Sequence, residues 1–226
     1  MRTFASALAL AAALGLALPA SAHEAGDWLF RIGGSNVDPK SDNGSIDLTG
    51  IATFGVQDVT VDSQVGLTFN ITYMYTANIG IELLAALPFE HDIEVEGLPG
   101  TAATVTHLPP TLSLQYHFLP TAKFQPYVGA GLNFTWFLDD SKEGGLRWAD
   151  DALGVTTGLD IDSTSFGLAA QAGFDYIVNE RWFVNVDVRY IDISTDATLT
   201  VNGAAAATAK VDVDPLVYGL HVGYRF

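Results

Sequence analysis

Six ionisable side chains interrupt segments otherwise rich in aliphatic and aromatic residues: Arg31, Glu82, Asp175, Asp187, Arg189 and Arg225. Three are acids and three are bases, so the set can neutralise itself. In a confined, poorly hydrated space such pairing is worth more than on a surface, provided that every charge finds a partner. The chemistry open to these residues is an ionic network rather than a reaction. A covalent catalyst needs a nucleophile with a base beside it, and the chain has no cysteine, no G-x-S-x-G, no H-E-x-x-H and no phosphate loop. Gly129-x-Gly131 falls inside a strand-like run, where it gives space to neighbours instead of cradling phosphate. The five histidines show no metal-ligand spacing, and His117 and His221 read as further members of the polar network. No enzyme activity, cofactor or metal is expected, although a barrel lipase, acyltransferase or protease is the rival to exclude.

The remaining acids cluster elsewhere. Glu90, Asp92, Glu94 and Glu96 form one group, and Asp139, Asp140, Glu143, Asp150 and Asp151 another. Oxygen-rich clusters suit divalent cations, which could bridge to lipopolysaccharide; charge runs are also ordinarily solvated faces. The formal net charge of -16 excludes a nucleic-acid partner, because phosphate binding needs clustered Lys and Arg.

Something must hold six charges among so many apolar residues, and the spacing says what. From Ser63 to Tyr75 the odd positions read Val65, Leu67, Phe69, Ile71, Tyr73 and Tyr75, while the even ones read Gln64, Gly66, Thr68, Asn70, Thr72 and Met74. Only an extended strand puts those two sets on opposite faces. The period recurs at 79–87, 108–118, 126–137, 164–178, 182–190 and 216–226, and with a first strand near 28–36 the count is eight. Short links at 76–78, 119–123 and 179–181 alternate with long polar stretches at 37–62, 90–104, 139–162 and 194–210. That asymmetry is expected of an eight-stranded antiparallel up-and-down transmembrane β-barrel, with short periplasmic turns and long extracellular loops.

Periodicity leaves open which face is apolar. A secreted barrel with a greasy interior would bury the six charges at high cost, whereas a membrane barrel turns them into a polar lumen. Aromatics beside the short turns (Trp28, Phe30, Tyr73, Tyr75, Phe118, Phe124, Tyr127, Tyr176, Trp182) are placed as an interfacial girdle. The chain closes on Tyr224-Arg225-Phe226, an ending typical of outer-membrane barrels, with Phe226 the expected contact for the barrel assembly machinery. Arg2, the apolar run 5–18 and Ala20-Ser21-Ala22 form a signal peptide expected to be cleaved after Ala22, leaving residues 23–226 as one barrel. The expected location is the outer membrane of a Gram-negative cell, reached through the periplasm.

The charged set is placed mostly toward the short turns, so it should plug the periplasmic end; an eight-stranded barrel is only just wide enough for side chains. A hydrophobic molecule entering from outside must then leave sideways. Pro88 follows the third strand and Pro109-Pro110 open the fourth, and proline donates no ladder hydrogen bond. These prolines either mark a lateral opening or merely end strands at the rim.

The residues resemble those of the OmpW family of small outer-membrane barrels over nearly all of 23–226. The resemblance rests on His23-Glu24-Ala25-Gly26, Gln64-Val65-Gly66-Leu67-Thr68-Phe69, Asn78 to Ala86 followed by Pro88-Phe89, and His107-Leu108-Pro109-Pro110-Thr111-Leu112. Pro126 to Gly131, Asp175-Tyr176 and Gly223-Tyr224-Arg225-Phe226 continue it. It implies a narrow channel carrying small hydrophobic molecules past the lipopolysaccharide layer, in contact with lipid, and in some members a colicin or phage receptor. A structural barrel without transport is the alternative. The resemblance also implies a constriction at large apolar side chains: Leu84 matches one, while Arg189 stands where a bulky aromatic is expected.

Overall fold

The computed structural model describes residues 23–40, 43–49 and 55–226; the signal segment expected over 1–22 lies outside them. In chain order the elements are β1 (Trp28–Asp38), β2 (Ser45–Asp47), β3 (Val56–Val61), β4 (Gln64–Met74), β5 (Ile79–Ala86), β6 (Phe89–Val95), β7 (Ala103–Leu108), β8 (Thr111–His117) and β9 (Phe124–Lys142). There follow α1 (Gly144–Leu153), β10 (Thr157–Ile161), β11 (Thr164–Ile177), β12 (Trp182–Ile191), β13 (Ser194–Val201), β14 (Ala204–Asp212) and β15 (Leu216–Arg225).

A strand in lipid must satisfy both edges, and closure is the way to do so. Strands β1, β4, β5, β8, β9, β11, β12 and β15 pair antiparallel in that order, and β15 returns to β1 from Leu29↔Arg225 to Asp38↔Leu216. The outward positions are apolar and bare, as at Leu114, Leu168 and Leu220. Trp28, Tyr73, Tyr176 and Trp182 ring the inner mouth, while Trp136, Phe166, Tyr190 and Tyr218 lie toward the outer one. This is the lipid-facing band with its two aromatic belts. Among the described residues no helix is long and apolar enough to cross a membrane.

Local sequence sets the tight inner turns. Asn179 Oδ1 accepts from the backbone N–H of Arg181 and of Trp182, both at 3.0 Å, and Thr76 Oγ1 accepts from Asn78 and Ile79. Short polar side chains fold back on the backbone in this way and fix a turn without length.

The long polar stretches are not loops where they are described. Most of them continue the barrel outward as hairpins: β6–β7 stands on β9, β2–β3 joins β6, and β13–β14 carries β10. Every second residue there turns inward and most of these are apolar, so Ile46, Val59, Val105, Leu199, Ala209 and Val211 share a core. Those residues are scattered among Thr, Asp, Ser and Lys, which is why the stretches read as polar. Helix α1 buries Leu146 in this core, keeps Ala149 buried as well, and stops at Gly154, whose φ of 65° suits glycine.

Candidate functional site

Alternation sends every second barrel residue into the lumen, and the inward residues change character with height. On β1 they run Leu29, Arg31, Gly33, Ser35, Val37 from the inner mouth outward; on β12 they run Phe183, Asn185, Asp187, Arg189, Ile191. The middle of the lower lumen is charged, and its outer end is carbon.

Five of the six predicted network residues come together there, each no more than 4% exposed: Arg31, Glu82, Asp175, Asp187 and Arg189. Arg31 binds Asp175 through Nε (3.2 Å) and Nη2 (2.8 Å), and through Nη1 reaches Thr72 Oγ1 (2.7 Å) and Glu82 Oε2 (3.3 Å). Arg189 donates from Nη1 to Glu82 Oε1 (2.6 Å) and from Nε to Asp187 Oδ1 (2.9 Å). Glu82 therefore sits between two guanidinium groups, and Gln115 and Gln171 also donate to it, at 2.8 and 3.2 Å. Gly129 makes room for this: a Cβ there would stand 2.9 Å from the Gln171 side chain. Removing one partner from such a set leaves a buried charge uncompensated, at a cost of about 3–5 kcal/mol.

Arg225 is placed elsewhere. It faces the rim of the inner mouth, with Nη2 donating to the Glu180 carbonyl at 2.6 Å and Nη1 3.6 Å from Asp27 Oδ2. Strand parity gave its face correctly but not its height. The network's further base is His23, which sequence reasoning did not place in it. Its Nε2 lies 3.2 Å from Asp175 Oδ2, across 152 residues of chain. His221 stands 3.4 Å from Asp187 Oδ2, and His117 stays 3.2 Å from Gln115 Oε1. Tyr127, expected in the girdle, instead points inward, accepting at its hydroxyl from Asn185 Nδ2 at 3.0 Å, with Arg31 above its ring. It lies three residues from outward-facing Phe124, which puts it on the opposite face. His23, His117 and Asp175 approach one another within 4.8 Å. Both oxygens of Asp175 are already held by Arg31.

Leu84 is inward and buried, two residues above Glu82 on β5. Arg189, where the resemblance implies a bulky aromatic, is bound to Glu82 and Asp187. Above this level the lumen becomes a cavity of about 90 Å³, walled largely by aliphatic side chains such as Ile46, Val59, Val105, Leu159 and Leu199.

The predicted prolines lie at this same transition. The β5–β8 ladder runs from Ile79↔Tyr116 to Leu84↔Thr111 and stops, and the β6–β7 ladder begins at Phe89↔His107. Among the described residues no pairing joins 85–88 to 108–110. The outer edges of the same segments stay tied, with Leu87 N–H donating to Leu67 O and Phe134 N–H to Pro110 O, both at 3.0 Å. The gap is thus confined to the β5/β8 seam. Behind it Phe89, His91, His107 and Phe137 pack as an aromatic cluster, and Gly66 lets the Phe89 ring lie close against β4. His91 and His107 stand just beyond the outer aromatic belt, since His107 pairs with Phe137, one residue past Trp136. Burial holds both imidazoles below their ordinary range; His107, also facing His91, is pushed down to about 3.

The sequence profile of the OmpW family matches residues 24–226. Outer membrane protein W of Escherichia coli K12 is 43% identical over 224 residues, covering 96% of this chain and 97% of that protein. The crystal structure of the outer membrane protein OprG from Pseudomonas aeruginosa superposes with a TM-score of 0.80 at 38% identity, covering 92% of this chain and 99% of that one. The dibenzothiophene metabolism operon protein PahQ of Pseudomonas aeruginosa is 29% identical over 93% of both chains.

Proposed function

The chain belongs to the OmpW family of Gram-negative outer-membrane barrels, and from that premise we propose that it admits small hydrophobic molecules from outside and releases them sideways into the bilayer. The observation that carries this reading is the coincidence of two changes at one height. Where the lumen turns from a carbon-walled cavity to a paired ionic plug, the β5/β8 ladder is interrupted beside Pro88, Pro109 and Pro110.

Each part has a physical role. The outer cavity takes apolar surface out of water, which favours entry at roughly 25 cal/mol per Å² buried. The plug of Arg31, Glu82, Asp175, Asp187 and Arg189 offers such a molecule no apolar partner and bars the way to the periplasm. Leu84 forms the last apolar step above it, and the seam gives access to lipid without breaking ladder hydrogen bonds. The name of the PahQ relative, which refers to an apolar heterocycle, supports this solute class. The exposed Phe226 at the inner belt supports contact with the assembly machinery.

The test uses vesicles with lipopolysaccharide in the outer leaflet, because plain lipid is no barrier to apolar solutes. Uptake of naphthalene should rise with the protein present. It should fall toward the protein-free rate when Pro109 and Pro110 are replaced together by alanine, which restores two backbone donors to the seam. Equal rates with and without the protein would sink the reading.

A further inference from the structure

We propose that His91 and His107 form a docking station for a hydroxyl head group in the wall of the outer cavity, so that the preferred solutes are neutral long-chain alcohols rather than plain hydrocarbons. The inference rests on the uptake reading above and sharpens it to a ligand class.

The argument is a hydrogen-bond inventory. His91 Nδ1 lies 2.7 Å from the backbone carbonyl of Asp62. A carbonyl only accepts, so Nδ1 carries the proton. In a neutral imidazole the other nitrogen is then an acceptor. That nitrogen, His91 Nε2, is buried and has no partner among the described residues; nor has either nitrogen of His107. His107 adds one donor and one acceptor. The two rings stack at 4.9 Å between centroids, 27° from parallel, and both line the cavity. Burial of both groups favours their neutral form, which fixes this inventory.

Unanswered polar atoms in the wall of an apolar cavity are costly and call for a partner; the wall itself covers these nitrogens, so a head group reaches them as the rings turn toward the cavity. What the pair lacks is specific: a hydrogen for His91 Nε2 and a lone pair for the N–H of His107. A hydroxyl supplies both. An alkane supplies neither, and an ester or ketone supplies lone pairs only. A carboxylate also lacks the hydrogen, and it would bring a charge into a carbon-walled space beneath an exterior carrying Glu90, Asp92, Glu94 and Glu96. The cavity gives the alkyl chain its place, and the seam beside Phe89 gives it a way out.

The test uses the chain refolded in lipid nanodiscs, with octan-1-ol, methyl heptanoate and n-octane measured by equilibrium dialysis against protein-free discs. Protein-dependent binding of octanol should exceed that of the ester about tenfold, the worth of one to two net hydrogen bonds. The His91→Phe and His107→Phe variants should bring that ratio toward one. In the native chain the ¹⁵N resonance of His91 Nε2 should shift on adding octanol and not on adding octane, a readout that stands if a variant fails to fold. Equal protein-dependent binding of all three solutes, or an unmoved Nε2 resonance at saturating octanol, overturns the station and leaves the uptake reading intact. No protein-dependent binding of any solute overturns both.

Discussion

The two halves of the lumen solve the same packing problem with opposite materials. Below the β5/β8 seam, Arg31, Glu82, Asp175, Asp187 and Arg189 fill the barrel and hold one another at 2.6 to 3.3 Å. Above it, Val59, Val105, Leu199 and Val211 line a space that they do not fill. Directional bonds to formal charges specify one arrangement and tolerate no vacancy, since each unpaired member is an uncompensated buried ion. Dispersion contacts are individually small and have no direction, so an apolar wall tolerates a guest. On the proposed uptake reading, a barrel shut at one end and receptive at the other is served by placing these two materials in series. Damage to the two halves should therefore be separable.

The largest expected effect is on the lower half. Arg31→Leu strips Asp175 and Glu82 of a shared cation, and urea unfolding of the bilayer-inserted protein should show a loss near the top of the range of about 3–5 kcal/mol. Unchanged stability would mean that the plug does not hold the barrel together. Arg189→Leu should cost somewhat less, about 3 kcal/mol, because Glu82 keeps Arg31; single-channel recording should show a rise in ion conductance. If conductance and stability both stay at the native value, Arg189 is not part of the barrier. An upper-half change should behave the other way. Ala103→Trp, which fills the cavity, should abolish protein-dependent solute binding in nanodiscs while changing stability by about 1–3 kcal/mol.

The smallest effect concerns the periphery. Asp150 accepts from Lys142 Nζ, from Thr157 N–H (2.6 Å) and from Thr157 Oγ1 (2.7 Å). The Lys142 ammonium, with Thr157, holds its carboxyl down to about 2. A depressed carboxylate contributes stability above its unfolded value near 4, and that contribution is lost as pH falls toward 2. Hydrogen exchange at Leu146 and Ala149, taken relative to the intrinsic rate at each pH, should accelerate over that window. Asp150→Asn should produce the same acceleration at neutral pH, worth about 1 kcal/mol, with the plug untouched.

The eight strands were legible because period-two alternation is a local signal that survives without knowledge of partners, and the inward face of the charged set followed from it. Height along the barrel was not legible, because it depends on register between strands. Arg225 was assigned to the right face but lies at the rim, beside the Glu180 carbonyl. Tyr127 was assigned by nearness to a turn, where parity with Phe124 would have turned it inward. His23 and the His91–His107 pair were missed as site residues because their partners are brought to them only by folding: Asp175 is 152 residues from His23. The outer hairpins read as polar loops because their inward residues, such as Ile46 and Ala209, are separated by Ser, Thr, Asp and Lys. A signal for them was present in the same alternation, over runs too short to stand out.

Strand β9 runs from Phe124 at the inner mouth to Lys142 beneath helix α1, with β11 along one edge and β8 then β7 along the other. Between Tyr127 and Trp136 it is stitched on both edges, and beyond that β7 carries the ladder to Lys142. The outer hairpins are thereby tied to the periplasmic rim by one continuous backbone. The interrupted seam lies on the far side of β8 and β7, so an opening there cuts none of these pairings.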